Sequence, residues 1–267
     1  MSEVPFDRFL AKRKRHPGGL GRAPVFHSQK EFLAYMAGAK EGEGEAEHLT
    51  RMAQEEEKLK HAVALAEDRQ RSGEASGQKE ILAALDGLGN FYVGQQRWQE
   101  AIQEYIRVLD GTPPGDSRAK ICVMLGILYE NAEDFPSAEE IYRSALAEGP
   151  KHPDICYWAH NNLAYCLVMQ GRYEDAEPYS RRAIEVIPRR HNAHKNLGLA
   201  LEGQGRHEEA VLALMEATEL GPLDDRAFHR LDEIVAFHPK LLKRIPGLKA
   251  RIERYRRRCG DAGRSGI

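Results

Sequence analysis

One stretch constrains the fold more than any other: residues 191–224, HNAHKNLGLALEGQGRHEEAVLALMEATELGPLD. Its small and apolar residues fall at Leu197, Gly198 and Leu201, then at Ala210, Leu214 and Ala217. Those are the three-, four- and seven-residue steps of a helical face. Gly203-Gln204-Gly205-Arg206 between the two runs permits the left-handed backbone that ends a helix, and Gly221-Pro222 stops the second run in the same way. The stretch therefore predicts a helical hairpin. Gly198 and Ala210 are small where its helices must approach closely. A lone hairpin of this kind leaves its apolar faces in water, so the chain must supply neighbours.

It does so by repetition. In the frame starting at Tyr157 the pattern returns as Leu163-Ala164, Leu167, Gly171, Ala176, Ala183 and Pro188. From Ala119 it reads Leu125-Gly126, Tyr129, Phe135, Ala138, Tyr142, Ala145 and Pro150, and from Leu82 it reads Leu88-Gly89, Tyr92, Trp98, Ala101, Tyr105 and Pro113. These residues resemble the tetratricopeptide repeat, whose signature is a Leu-Gly followed by Tyr, then Ala, an aromatic four residues later and a closing Pro. The resemblance covers about half of the chain. It implies an all-α superhelix, or α-solenoid, of about four helix-turn-helix repeats (82–115, 119–152, 157–190 and 191–224), with a concave face that holds a peptide or another protein. The family serves as a scaffold and seldom as a catalyst.

Terminal repeats need covers, because their outer faces would otherwise expose apolar side chains. Residues 45–72 supply a long helical pattern with Leu49, Met52, Leu59, Val63 and Ala66 on one stripe and Glu55-Glu56-Glu57 expected to face water. A Gly/Ser break at 72–78 separates it from the array, which runs over 79–224. Beyond it, Phe228, Leu231, Ile234 and Val235 continue a first-helix phase, so 225–260 is expected to form carboxy-terminal capping helices and 261–267 a disordered tail. Residues 1–44 are expected to be a flexible basic arm, with a short helix over 28–36. Pro136 and Pro153 suit helix starts. Pro178 falls about one turn inside its helix, and Ser180 replaces a large residue, which together predict looser packing there.

Net charge is −2, but residues 1–30 carry +5 (seven basic, two acidic) and residues 239–267 carry +8 (ten basic, two acidic), leaving −15 for the body. Such ends either fold onto the acidic body or meet an anionic partner. The segment KRIPGLKARIERYRRRC, with Tyr255 among its arginines, and AKRKRH near the start have the composition that phosphate backbones attract. That gives an alternative function, a nucleic-acid or anionic-surface adaptor. The acidic body argues against a long polyanion.

Several classes are disfavoured. No run of about 20 apolar residues and no leader pattern is present, so membrane insertion is not expected and a cytoplasmic location is the default. Cys122, Cys156, Cys166 and Cys259 lack Cys-x-x-Cys spacing and are expected to be reduced. No nucleophile elbow, phosphate loop or His-Glu-x-x-His occurs, so neither an enzyme nor a cofactor is expected. His160, His191 and His194 suggest packing more than a metal.

The resemblance also implies where a ligand lies, at the second, fifth, sixth, ninth and twelfth positions of each first helix. Those are Asp86 and Asn90; Lys120 and Glu130; Trp158, Asn161, Asn162 and Tyr165; Asn192, Lys195, Asn196 and Glu202. Asparagine amides both donate and accept, which suits a grip on a peptide main chain. Arg226 and Arg230 follow, four residues apart on one face. Asn196, Arg226 and Arg230 are similar to part of the carboxylate clamp of chaperone-binding members of the family, favouring a partner with an acidic or carboxylate end. Asn161 and Tyr165 depart from the clamp's other half, a Lys and an Asn. In the bland alternative the two arginines pair with Asp225 and Glu233. The expected function is thus a non-catalytic protein-interaction module, with self-association left open.

Overall fold

The computed structural model describes residues 45–72, 77–222 and 224–264. The expected arm at 1–44 and its short helix lie outside them. Among the described residues the order is α1 (Glu45–Arg71), α2 (Gly77–Gly94), α3 (Trp98–Gly111), α4 (Asp116–Asn131), α5 (Phe135–Ala147), α6 (Pro153–Met169), α7 (Tyr173–Val186), α8 (His191–Gly203), α9 (His207–Leu220), α10 (Arg226–Phe237), α11 (Leu241–Arg244) and α12 (Leu248–Arg264). No strand occurs among them. Helices α2/α3, α4/α5, α6/α7 and α8/α9 pack as four hairpins. The chain divides at Pro150 into two compact units.

All four hairpins reverse by one device. The residue fourteen places after each frame start has positive φ: Gln96 (58°), Glu133 (60°), Gly171 (73°) and Gly205 (76°). The next residue's N–H then reaches back to the first helix, with Arg97 donating to the Tyr92 carbonyl (3.0 Å) and Asp134 to Tyr129, Arg172 to Leu167 and Arg206 to Leu201 (2.9 Å each). This is the Schellman closure, which satisfies carbonyls that a helix end would otherwise orphan.

In the first unit, a Cβ on Gly89 would lie 2.8 Å from the Tyr105 ring, and one on Gly126 would strike the Tyr142 ring. Glycine thus makes room for a tyrosine on the partner helix. Asp134 caps α5 by accepting from the Ser137 N–H (3.2 Å), with Pro136 in the first turn. Helix α1 packs on α2, burying Val63 and Ala66. Glu56 does not face water as expected. It accepts from the Tyr92 hydroxyl (3.1 Å) and pairs with Arg97 (2.5 Å), because the turn after α2 presents these two groups to it. Leu49, expected on the packed stripe, is 62% exposed.

In the second unit, Gly198 lies under Leu214 (2.6 Å to an added Cβ). Ala164 and Ser180 occupy the corresponding places one hairpin earlier, and both are fully buried. The extra methyl fills part of the space that a ring would take, and the buried Ser180 hydroxyl has no hydrogen-bond partner. Helix α7 also runs unbroken past Pro178, which removes only one donor near the helix start. Pro153 opens α6, and the His152 ring accepts from the Asp154 N–H (3.2 Å).

Helices α10 to α12 close the array through a core that joins Leu201 and Leu214 to Phe228, Leu231, Ile234, Leu248, Ile252 and Tyr255. The rings of Phe228 and Tyr255 meet edge to face at 5.6 Å. Helix α12 continues to Arg264, so part of the expected tail at 261–267 is helical. Gly260 costs a helix only about 1 kcal/mol and does not end it. Cys122, Cys156 and Cys166 are free thiols, and burial pushes the Cys122 thiol up to about 11.

Candidate functional site

In the first unit the expected residues lie on α2 and α4. Asp86 accepts from the Tyr105 hydroxyl (3.1 Å) and from Asn90 Nδ2 (3.1 Å), and Asn90 also donates to the Asp86 carbonyl (2.7 Å). Burial raises the Asp86 carboxyl, offset by Tyr105 and by the charge of Lys120 on α4. Glu130 is 8% exposed and accepts from the Tyr142 hydroxyl at 2.6 Å. Asp86, Asn90 and Lys120 thus form one half-buried polar group.

In the second unit the three asparagines come together but do not lie open. Asn196 Nδ2 donates to the Asn161 carbonyl (3.0 Å) and to its Oδ1 (3.1 Å), and Asn161 Nδ2 donates to Asn162 Oδ1 (2.9 Å). All three are under 5% exposed. Their amides stitch the first helices α6 and α8 together, a polar seam that is stable because its members satisfy one another. Trp158 is buried beside Tyr157, with the Arg190 guanidinium 4.7 Å from the Tyr157 ring and 5.3 Å from the Trp158 ring. Arg190 also pairs with Asp154. Tyr165 and Asn192 are half-buried.

Lys195 and Arg226 converge on a residue absent from the expected set, Asp224. Its carboxylate accepts from Arg226 Nε (2.7 Å) and Nη2 (2.6 Å) and from the Arg226 backbone N–H (3.2 Å). His191 Nε2 lies 3.1 Å from it and Lys195 Nζ 3.8 Å. Burial opposes ionisation, but His191, Arg226 and Lys195 together hold the Asp224 carboxyl far below the usual range. Arg230 pairs with Glu202 and Glu233, at 2.7 Å each. Arg226 therefore pairs with Asp224 and not with Asp225, which lies beside His229. The helix start explains this, since Asp224 also accepts from the Arg226 backbone N–H that opens α10. Sequence reading passed over Asp224 because it closes the frame 191–224, away from the first-helix positions; its position two residues before Arg226 was the available signal.

His160 stacks on Tyr179, and burial, followed by Arg182, lowers its imidazole to about 4. His194 bonds the Pro188 carbonyl (2.8 Å). Among the described residues no group of three or more potential metal ligands occurs, and no helix is long and apolar enough to cross a membrane. On α12, Arg251 and Arg254 both approach Glu219 (3.3 and 3.4 Å), and Arg256 pairs with Asp232 (2.7 Å). Tyr255, expected among tail residues open to a phosphate partner, is 1% exposed and donates to Glu219 (2.8 Å). Its ring belongs to the core because α12 is amphipathic.

Models of the tetratricopeptide repeat match residues 154–221 and residues 84–119 and 121–154, together about half of the chain. The peroxisomal targeting signal receptor of Eremothecium gossypii is 36% identical over 87 residues, 33% of this chain but 14% of that protein. The chain thus spans about a seventh of that relative's length. Among solved structures, BtubC (BKLC) from P. vanneervenii aligns with a TM-score of 0.60 at 17% identity, covering 79% of this chain and 92% of that one. YrrB, described as a TPR protein with an unusual peptide-binding site, aligns at 0.51 and 21% identity, covering 65% and 84%. With the repeat signature, the four hairpins and the helical caps all in place, the chain belongs to the tetratricopeptide repeat family and has its all-α fold.

Proposed function

We propose that this chain is a non-catalytic interaction module whose second unit receives the carboxylate of a partner polypeptide at the cationic end formed by Lys195, Arg226 and Arg230. The observation that carries this reading is Asp224. A carboxylate already sits within hydrogen-bonding distance of His191 and Arg226 and 3.8 Å from Lys195, so the cluster has the size and charge for such a group. A partner's terminal or side-chain carboxylate would take the place of Asp224 or Glu202. The peptide-binding site named for YrrB accords with a peptide ligand. Free thiols at Cys122, Cys156 and Cys166 suit a reducing, cytoplasmic setting.

The test is a selection on the immobilised full chain from random peptides carrying either free or amidated carboxy termini. Free-acid peptides are expected to be enriched, and Arg226→Ala with Arg230→Ala to remove the enrichment while leaving the far-UV circular dichroism unchanged. Equal enrichment of amidated peptides would defeat the carboxylate reading. The alternative, an anionic adaptor acting through α12, has less support. Three of its arginines are already paired, and its tyrosine is buried.

A further inference from the structure

In the second unit, one junction between successive helix turns is closed and the next is open. Where the start of α7 meets the turn after α8, the Tyr173 ring fills the space that a side chain at Gly203 would take. Gln204 Nε2 donates to the Tyr173 carbonyl (3.2 Å) and to Glu177 Oε2 (3.0 Å), and Arg206 Nη1 donates to the same carboxylate oxygen (2.6 Å). One carboxylate thus fastens the turn of one repeat to the helix of its predecessor.

One repeat length further along, each part of that fastening differs. Phe237, His238 and Lys240 stand in the places of Gly203, Gln204 and Arg206, and His207 and Val211 in those of Tyr173 and Glu177. The His207 and His238 rings stack, with centroids 3.9 Å apart. Val211 offers no carboxylate, and among the described residues the exposed Lys240 forms no ion pair. Phe237, in glycine's place, is 82% exposed. Pro239 falls where Gly205 has its positive φ, a torsion that the proline ring forbids, so the chain leaves α10 by another route into the single turn α11. Between the two turns lies a cleft of about 550 Å³, lined by His207, Phe237, His238, Lys240 and the buried Leu241. Arg206 with Glu209 (2.6 Å) and Arg244 with Glu208 (2.7 Å) also border it as ion pairs, which leaves Lys240 as its unbalanced charge.

We propose that this cleft docks a segment of a partner protein in which an Asp or Glu stands beside an aromatic or large aliphatic residue. The carboxylate meets Lys240 as Glu177 meets Arg206, and the apolar side chain covers Phe237. Covering that ring removes apolar surface from water, and a lysine desolvated by the cover requires an opposite charge. A basic segment leaves Lys240 opposed, and Glu208 and Glu209 at the border disfavour a polyanion such as nucleic acid. The cleft is separate from the cationic end at Arg226 and Arg230.

The experiment selects random peptides, displayed as amino-terminal fusions and so without a free carboxy terminus, on two immobilised full chains: the unaltered one and one carrying Phe237→Ser with Lys240→Glu. Both residues are exposed, so the fold is retained, as circular dichroism should confirm. Sequences enriched only on the unaltered chain should pair an acidic residue with a neighbouring aromatic or aliphatic one. An enriched peptide, synthesised with an amidated end, should lose at least about tenfold in affinity when Lys240→Ala or Phe237→Ser is made singly. Lys240→Glu alone should turn the selection toward Lys or Arg in the place of the acid. The absence of any differential sequence, differential sequences without an acid, or unchanged affinity in the single variants overturns the proposal. Sedimentation velocity supplies a further check: self-association of the unaltered chain that Phe237→Ser abolishes would assign the cleft to a second copy and overturn the proposal as well. None of these results bears on free-acid recognition at Arg226 and Arg230, so either reading can fail while the other stands.

Discussion

His191 Nε2 and Asp224 Oδ2 lie 3.1 Å apart, tying the first residue of α8 to the residue whose carboxylate accepts from the first N–H of α10. The packing beneath is equally close, since a Cβ on Gly221 would fall 2.5 Å from the His191 ring. One carboxylate thus fixes how the last repeat meets its cap.

Replacing Asp224 with Asn should destabilise the chain by about 2 kcal/mol, because the carboxylate is mostly buried and its cations lose their partner. The pH dependence follows from the direction of the shift. A carboxyl held far below its unfolded value near 4 contributes stability that is complete above that value and declines as pH falls. Urea denaturation at pH 7 and at pH 3 should therefore show the gap between Asp224→Asn and the unaltered chain narrowing in acid. A constant gap would assign the effect to shape alone.

Glu56 permits a parallel test at the amino-terminal cap. Arg97, aided by Lys60 and Tyr92, holds its carboxyl down to about 2 against burial. The stabilisation is present above the unfolded value near 4.5 and is lost as pH falls toward 2. Glu56→Gln should cost about 1 kcal/mol and speed hydrogen exchange in α1 before that in α4. Uniform acceleration across both helices would show that α1 does not open separately.

Gln96 and Glu133 hold a backbone conformation that costs L residues about 1 kcal/mol. Substituting glycine at either should raise stability by about 0.5–1 kcal/mol, read as a higher urea midpoint, while Gly171→Ala and Gly205→Ala should lower it by a similar amount.

Gly126→Ala places a methyl against the Tyr142 ring and should cost about 2 kcal/mol or more. The third hairpin shows the compensated arrangement, Ala164 with Ser180. A double-mutant cycle with Tyr142→Ser should accordingly give a combined loss smaller than the sum of the single losses. Strict additivity would show that the two positions do not share space.

The array was legible in the sequence because its signals are local and repeat in phase: Leu88-Gly89, Leu125-Gly126 and Leu197-Gly198 mark close approaches that recur one hairpin at a time. Caps were legible as apolar stripes, but Glu56 was misread, since a run of three glutamates does not reveal that Tyr92 and Arg97, dozens of residues away, claim the middle one. The candidate site was half legible. First-helix positions located Asn161 and Asn196 without showing that the one would bond the other. Asp224 closes the last frame outside its first helix, so only the fold reveals that His191, Lys195 and Arg226 surround it.

The shared reversal geometry has an implication for how this chain tolerates change. Since one torsion sets each bend, and Gln, Glu and Gly all adopt it, mutation there is absorbed as free energy while the angle between paired helices stays put. Drift at the tips would make the molecule sturdier or frailer without altering the pitch at which its helices present themselves.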